Sequence, residues 1–286
     1  MLQILDTISD PGNPGKPNED AFGHGARHAW VIDGATGVAD SELLDDLTDA
    51  HWLAREAGAF FAARAHDHGE DLHGLTRSAI EALSRRFEAE RKREPNGRYE
   101  LPSAAMSLVH VGEHEIVCAN FADCHLVLLA DDGEVTALGD AFGDHSEEGR
   151  KRTAAMLDKI ADGESPFASD DVMRYLRAAR NRQNTDDGYW IFGVDPRAVD
   201  YMRHWSLPLT KPVTGLLMTD GFASLAVDYK RLQPAELVAR ARDEGLAALL
   251  GEIRKIEREE DPNMRRYPRF KRSDDATAVL FRAAPR

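Results

Sequence analysis

Five short acidic segments carry the side chains best suited to chemistry. Each places an aspartate at the end of an apolar run or in a tight loop: residues 18–20 (Asn-Glu-Asp), 31–34 (Val-Ile-Asp-Gly), 120–123 (Asn-Phe-Ala-Asp), 217–221 (Leu-Met-Thr-Asp-Gly) and 273–277 (Ser-Asp-Asp-Ala-Thr). A carboxylate beside a buried strand is costly unless an opposite charge compensates it. The basic residues near these segments are Lys16, Lys271 and Arg272. With so few bases, bound metal ions become the natural source of positive charge.

The ligand chemistry of these segments favours hard cations. Carboxylate and carbonyl oxygens select Mg²⁺, Mn²⁺ or Ca²⁺, and the sequence has no Cys/His cluster with zinc spacing. The opposing interpretation is that Asp-Gly is a common turn dipeptide, so that each aspartate taken alone is more often a turn residue than a ligand. Single motifs therefore do not decide between a metal site and a set of turns.

Hydrophobic periodicity predicts the elements that must position these carboxylates. Strands are expected over residues 2–8, 28–33, 103–111, 114–121, 125–130, 134–138, 213–219 and 276–282. Helices are expected from Ser41, as N-cap, to about Asp67, from about Leu72 to Lys92, and as a pair over about 234–259. The four strands between 103 and 138 indicate an antiparallel meander. Paired helices between antiparallel strands favour an α+β layered sandwich over a doubly wound parallel sheet.

Composition limits the possible partners and compartment. The chain has 286 residues and a formal net charge of −14, which disfavours binding to nucleic acid or to an anionic membrane. No apolar run approaches the ~20 residues that cross a bilayer, and the N-terminus does not resemble a signal peptide. Cys118 and Cys124 give no disulfide framework, so a cytoplasmic location is expected.

Taken in order, the acidic segments resemble the motifs of the metal-dependent protein phosphatases of the PPM (type 2C) family. The matching segments are residues 16–22, 31–37, 103–106, 120–125, 219–222 and 274–277, and the resemblance covers 18–281. It implies a single domain over 1–286, built as an α/β/β/α sandwich with two central antiparallel sheets flanked by helix pairs. The polar, turn-rich stretch at about 140–205 matches the family's helical flap insertion.

The resemblance also implies a role for each carboxylate. Asp33 would bridge two Mg²⁺ or Mn²⁺ ions, and the carbonyl of Gly34 would bind the first of them. The residues that would hold the second ion are Asp20, Asp220 and Asp274, with Glu19 in or beside its shell. Asp123 matches a position that holds a weaker third ion in some members. A water bridging two such ions ionises readily and attacks phosphorus in line, without a covalent enzyme intermediate.

Residues around the expected ligands depart from the family pattern. The arginine that binds the substrate phosphate in many members falls at Gly15 in this sequence. The adjacent Lys16 is therefore the expected catalytic residue that provides positive charge for the phosphate, as a point charge without a guanidinium fork. Ala35 stands where many members have a histidine proposed as general acid. Three further positions differ from the usual glycine, acidic residue and asparagine: Ala122, Ser224 and Asp275. This pattern is typical of a divergent bacterial-type member.

Three hypotheses for function follow from these observations. The first is a serine/threonine phosphoprotein phosphatase acting on phosphorylated proteins, and the second is a dinuclear metal hydrolase of a small phosphoester. The third is a non-catalytic, metal-binding regulatory module, against which the complete aspartate set argues. Within the insertion, Arg177, Arg180 and Arg182 are predicted to lie on a solvated helix face, with contact to an acidic phosphopeptide as the alternative.

Overall fold

Two antiparallel β-sheets form the centre of the protein. The computed structural model describes residues 1–64, 71–139, 151, 153–158, 160 and 164–285. The strands of sheet A, in spatial order, are β1 (Leu2–Asp10), β11 (Ala276–Ala283), β10 (Val213–Met218), β6 (His125–Ala130) and β7 (Val135–Leu138). The strands of sheet B are β2 (Asp20–His24), β3 (His28–Gly34), β4 (Ser103–Val111), β5 (Glu115–Phe121) and β9 (Arg203–Pro208), with the short β8 (Phe192–Gly193) also paired to β4.

Helices cover the outer face of each sheet. Sheet B is covered by α1 (Asp49–Arg64) and α2 (Leu72–Glu90). Sheet A is covered by α4 (Asp220–Val227), α5 (Pro234–Glu244) and α6 (Leu246–Lys255), which a π-helical turn (Ile256–Glu260) extends. Between β7 and β8 lies α3 (Asp170–Arg180). Short 3₁₀ turns occupy Arg98–Glu100, Pro166–Ala168 and Pro196–Tyr201. No helix of the described residues is both long enough and apolar enough to span a bilayer.

Side-chain alternation along the strands builds three apolar layers. In β3, Trp30 and Ile32 pack towards α1 and α2, whereas Val31 packs between the sheets. In β10, Leu216 packs towards the helices of sheet A and Leu217 packs between the sheets. Successive side chains of a strand point to opposite faces. Since both sets of side chains are buried, these two central strands contribute to the core on both of their faces. The predicted α/β/β/α sandwich is confirmed.

The first helix begins at Asp49, so the prediction of an N-cap at Ser41 is wrong. Leu43 and Leu44 are fully buried, but they precede the helix in a loop. Their backbone amides donate hydrogen bonds of 2.8 and 2.9 Å to the carboxylate of Asp49, which fixes the loop against the helix start. Buried loop residues mimic helical spacing, which explains the error. The predicted helix end at Asp67 lies outside the described residues.

The predicted meander is two hairpins in two different sheets. The β4–β5 hairpin belongs to sheet B and the β6–β7 hairpin to sheet A. Between them the chain crosses from one sheet to the other at residues 122–124, where Ala122 adopts a φ of 55°. The side chain of Asn120 donates a 2.8 Å hydrogen bond to the carbonyl of Cys124 and so braces the crossing. Hairpin signals do not reveal whether consecutive hairpins share a sheet, and this is why the prediction failed.

Four helices and strands of the described residues were absent from the sequence prediction. They are β2, β8, β9 and α4. The burial pattern of β9 alternates only between exposed and intermediate positions, so it gives a weak strand signal. Strand β9 also begins at the end of the 140–205 insertion. The predicted helical character of this insertion is confirmed by α3. The remainder of that prediction falls in part on residues 140–150, 152, 159 and 161–163, which are outside the described set.

Candidate active site

Strand ends from both sheets bring the predicted carboxylates together. In sheet B, Asp20 begins β2 and stands directly opposite Asp33 in the β2–β3 ladder. In sheet A, Asp220 begins α4 just after β10, and Asp274 lies just before the neighbouring strand β11. Asp123 lies at the crossing between the sheets. Five separate stretches of chain therefore converge at one edge of the sandwich.

A cavity of about 790 Å³ opens over this edge, and we call it the carboxylate cavity. The predicted site residues that line it are Asp33, Gly34, Asp123, Asp220 and Asp274. Asp20 is buried behind them. The other two predicted site residues, Glu19 and the exposed Lys16, line a neighbouring cavity of about 1140 Å³. The structure thus unites the aspartates and leaves Lys16 outside their cavity.

Burial and mutual repulsion raise the pKa values of the clustered carboxyl groups. Burial, followed by nearby Asp275 and Asp274, raises the pKa of Asp20 to about 7. The pKa of Asp33 is raised well above its usual range by burial and then by Asp220, Asp20, Asp274 and Asp123. Burial and Asp274 likewise raise the pKa values of Asp220 and Asp123. Positive charge brought into such a cluster favours the ionised form of its carboxyl groups.

The donor chemistry of the cluster fits divalent cations. The Oδ2 atom of Asp20 accepts a 2.9 Å hydrogen bond from Thr219, but its buried Oδ1 has no hydrogen-bond partner among the described residues. A buried carboxylate oxygen without a partner is costly, and a cation would satisfy it. The potential ligands are all oxygen, as hard cations prefer. However, in the described part of the chain no three His, Cys, Asp or Glu side chains already converge on one ion position.

Lys271 is a site residue to which sequence analysis gave no role. Its Nζ atom lies 2.5 Å from Oδ1 of Asp274, and its side chain lines the carboxylate cavity. Although burial opposes its charged form, Asp274, Asp33 and Glu19 raise the pKa of the Lys271 ammonium. This lysine therefore supplies part of the positive charge that the carboxylates require. The signal was present in the sequence, because Lys271 is one of the few bases beside the acidic segments.

The glycines of the two Asp-Gly motifs are required by close backbone packing. A Cβ atom on Gly34 would lie 2.5 Å from the carbonyl oxygen of Glu19, and one on Gly221 would lie 2.0 Å from that of Asp275. Neither glycine adopts a positive φ. Gly34 ends a strand and Gly221 lies in the first turn of α4. The alternative interpretation of these two motifs as ordinary turns is therefore wrong.

Asp275 organises the loops behind the cavity. Its Oδ1 accepts a 3.0 Å hydrogen bond from the amide of Gly12, and its Oδ2 accepts one of 2.7 Å from the amide of Glu19. Two amides bound by two carboxylate oxygens explain an aspartate where asparagine was expected, because an asparagine side chain has a single acceptor oxygen. The carboxylate of Glu19 is itself held by the hydroxyls of Thr36 and Thr48. Glu19 thus lies beside the aspartate cluster, with both oxygens engaged.

The family described as Protein phosphatase 2C matches residues 13–254 of this chain. The chain belongs to the protein phosphatase 2C family. The resemblance noted in the acidic motifs is thereby confirmed. A search of curated protein sequences finds no match.

Solved structures of bacterial phosphatases share the protein phosphatase 2C fold of this chain. The serine/threonine phosphatase PstP/Ppp of Mycobacterium tuberculosis aligns with a TM-score of 0.55 at 16% identity, covering 100% of this chain and 99% of its own. Its catalytic domain in complex with two manganese ions gives 0.54 at 16% identity, covering 99% and 98%. Stp1 of Staphylococcus aureus gives 0.58 at 13% identity, covering 98% and 94%. At such identities the likeness supports the shared fold alone.

Proposed function

We propose that this protein is a Mg²⁺- or Mn²⁺-dependent serine/threonine phosphoprotein phosphatase. The observation that carries the proposal is the convergence of aspartates from both sheets in one cavity, with pKa values raised by burial and by their crowding. Membership of the protein phosphatase 2C family supports phosphatase chemistry. The manganese complex of the PstP catalytic domain supports the choice of metal.

The metal ligands are proposed to be the aspartates that the sequence motifs indicated. Asp33 and the Gly34 carbonyl would hold the first ion, and Asp33 would also reach the second. The remaining ligands of the second ion would be Asp20, Asp220 and Asp274, with Glu19 beside them and Asp123 at a weaker third position. When bound, the ions supply a water of lowered pKa and positive charge for the phosphoryl oxygens.

The chain's own residues prepare this site before any ion arrives. Thr219 holds Asp20 in a fixed orientation through its 2.9 Å hydrogen bond. Asp275 and the close approach of Gly34 to Glu19 fix the β1–β2 loop against β3. Lys271 balances the charge of Asp274. Fixed ligands lose little conformational freedom on binding, which favours affinity and correct geometry.

Hydrolysis of a small phosphoester is the second candidate. The carboxylate cavity has the volume of a small-molecule pocket, and the rings of Tyr189, Tyr229, Tyr267 and Phe270 line it. Aromatic walls suit either a small organic phosphate or the residues that flank a phosphoserine. The non-catalytic hypothesis is disfavoured, because a module without turnover has no chemical reason to keep the complete set of aspartates.

A single domain over residues 1–286 and a cytoplasmic location complete the proposal. The first strand, β1, pairs with the last, β11, and the amino group of Met1 donates a 2.6 Å hydrogen bond to the carbonyl of Ala284. Chain segments from opposite ends of the sequence thus share one sheet, which supports a single folding unit.

The free buried thiols Cys118 and Cys124 suit a reducing compartment, which supports the proposed cytoplasmic location.

The deciding experiment measures phosphate release from phosphoserine and phosphothreonine peptides and from a panel of small phosphoesters. We expect no turnover after chelation, recovery with Mn²⁺ or Mg²⁺, and a higher kcat/KM for the peptides. Asp132→Asn, which alters an exposed surface carboxylate paired with Lys211, is the matched control for loss of a negative charge. Full turnover by metal-free protein would exclude the mechanism, and a preference for one small phosphoester would favour the second candidate.

A further inference from the structure

Arg180, the last residue of α3, lines the same cavity as Asp33 and Asp123. Its Nη1 atom donates a long hydrogen bond of 3.4 Å to the carbonyl of Ala35, the residue directly after Gly34. The guanidinium group is therefore next to the edge where the carboxylates converge. The prediction that this arginine lies on a solvated helix face is wrong, since its side chain is half-buried and lines the cavity.

The charge of Arg180 lacks an ion-pair partner among the described residues. Tyr189 and Glu19 favour its charge electrostatically, but the oxygens of Glu19 are engaged by two threonine hydroxyls. Two other arginines of α3 differ in this respect. Arg177 lies 2.6 Å from Asp40 and Arg174 lies 2.9 Å from Asp171. A half-buried guanidinium without a carboxylate partner is unfavourable, and an incoming anion would provide the missing partner.

The end of α3 is anchored on both sides of Arg180. Before it, Nε of Arg177 donates a 2.7 Å hydrogen bond to the carbonyl of Val38. After it, Asn181 accepts a 3.2 Å hydrogen bond from the amide of Tyr99, and Gln183 donates one of 2.6 Å to the carbonyl of Arg98. These contacts tie the helix end to the body of the sandwich. Arg180 is thus held over the cavity by its neighbours, which reduces the entropy lost when it binds a ligand.

We propose that Arg180 binds the phosphoryl group of the substrate, supplying from α3 the guanidinium that is missing from the β1–β2 loop. The inference rests on the proposed function and names a phosphate-binding residue for it. A guanidinium fork matches two phosphoryl oxygens at once, which an ammonium group does not. Lys16, the base expected for this task, is exposed and lines the neighbouring cavity instead.

Equilibrium binding of inorganic phosphate to the Mn²⁺-loaded full chain tests the assignment. We expect Arg180→Gln to weaken phosphate binding by about tenfold to a hundredfold, the usual range for a charge-assisted hydrogen bond. Arg180→Lys should lose less, because it keeps the charge without the fork. Arg174→Gln removes a paired arginine from the same helix and is the matched control, with phosphate affinity equal to the parent. Calorimetric titration with Mn²⁺ should give the same metal affinity for all four proteins.

Two outcomes would overturn the inference: phosphate affinity that Arg180→Gln leaves unchanged, or a larger loss in Lys16→Gln than in Arg180→Gln. If thermal unfolding shows that Arg180→Gln is not folded, the same comparison is made with Arg180→Lys.

Phosphopeptide hydrolysis measured in parallel separates the two proposals. A parent that binds phosphate through Arg180 without hydrolysing peptides would refute the proposed function alone. A parent that hydrolyses peptides while Arg180→Gln keeps its KM and phosphate affinity would refute the inference alone.

Discussion

Asp20 and Asp33 occupy directly opposite positions of the β2–β3 ladder, with Asp20 contributing to the raised pKa of Asp33. Like charges at opposite positions of two strands destabilise a sheet. Such an arrangement persists where a ligand supplies the opposite charge. This relationship makes the pair the structural centre of the proposed metal site, and it sets the expectations for substitution and for pH.

Asp33→Asn should abolish turnover and weaken Mn²⁺ binding together, because Asp33 is proposed to contact both ions. Asp123→Asn should lower turnover while two ions still bind, since Asp123 is assigned only to a weaker third position. The metal-free Asp123→Asn protein should also unfold at a higher temperature, because one crowded charge is removed. Calorimetric titration with Mn²⁺ and rate measurements on both variants provide the test. Parent-like metal binding and turnover in both would show that these aspartates are not ligands.

Asp20 should make the metal-free protein less stable as the pH rises from acidic to alkaline values. Asp20 has a pKa of about 7 in the fold against an ordinary value of 3.8, so the folded state binds this proton more tightly. Its contribution is complete below about pH 4 and is lost as the pH rises through about 7, by an amount of the order of a few kcal/mol.

Chemical denaturation of chelator-treated protein across this pH range measures the effect. Excess Mn²⁺ should remove the decline, because bound cations compensate the ionised carboxylates. Asp20→Asn should flatten the profile without metal, whereas the exposed Asp132→Asn should not. A metal-free Asp20→Asn profile that runs parallel to that of the parent across pH 4 to 7 would contradict the raised pKa of Asp20.

Lys271→Met should act in opposite directions on stability and on metal affinity. The lysine lies 2.5 Å from Asp274 and supplies positive charge to the cluster. Its removal should destabilise the metal-free fold and should strengthen Mn²⁺ binding by about fivefold, corresponding to roughly 1 kcal/mol of relieved repulsion.

Calorimetry and thermal unfolding without metal measure the two effects of this lysine separately. Lys211→Met is the matched control, because Lys211 pairs with Asp132 and Glu134 on the surface, at the end of β10 opposite to Asp220. Weaker Mn²⁺ binding in Lys271→Met would mean that the lysine supports the ions rather than competing with them.

Asp275→Asn should destabilise the loop between β1 and β2. Asp275 accepts hydrogen bonds from the amides of Gly12 and Glu19, and asparagine offers an acceptor for only one of them. We expect a loss of about 1–3 kcal/mol in the free energy of unfolding, as for a buried donor left without its acceptor. Urea denaturation with Asp132→Asn as control checks this. A variant as stable as the parent would show that water replaces the lost acceptor.

Sequence reasoning succeeded where one strong physical constraint acts on a short segment. The strand predicted at 103–111 matches β4 to the residue, because nearly all of its residues are buried and most of them are apolar. The aspartates were identified because charge beside a buried strand is unusual. Failures arose where distant contacts decide: Leu43 and Leu44 are buried by tertiary packing outside a helix, and the chain leaves sheet B at Ala122 for sheet A. Arg180 was misjudged because the identity of its neighbours depends on the fold.

The adjacency of β1 and β11 has a consequence for biosynthesis. Sheet A places the first strand of the chain beside the last, and Asp274 enters the cavity immediately before that last strand. While the ribosome is still making residues 274–283, β1 has no partner from β11 and the cavity lacks a carboxylate. Contacts between segments so far apart in sequence form late and slow folding. The proposed metal site therefore cannot be complete before β11 has been made, however early the other ligands take their places.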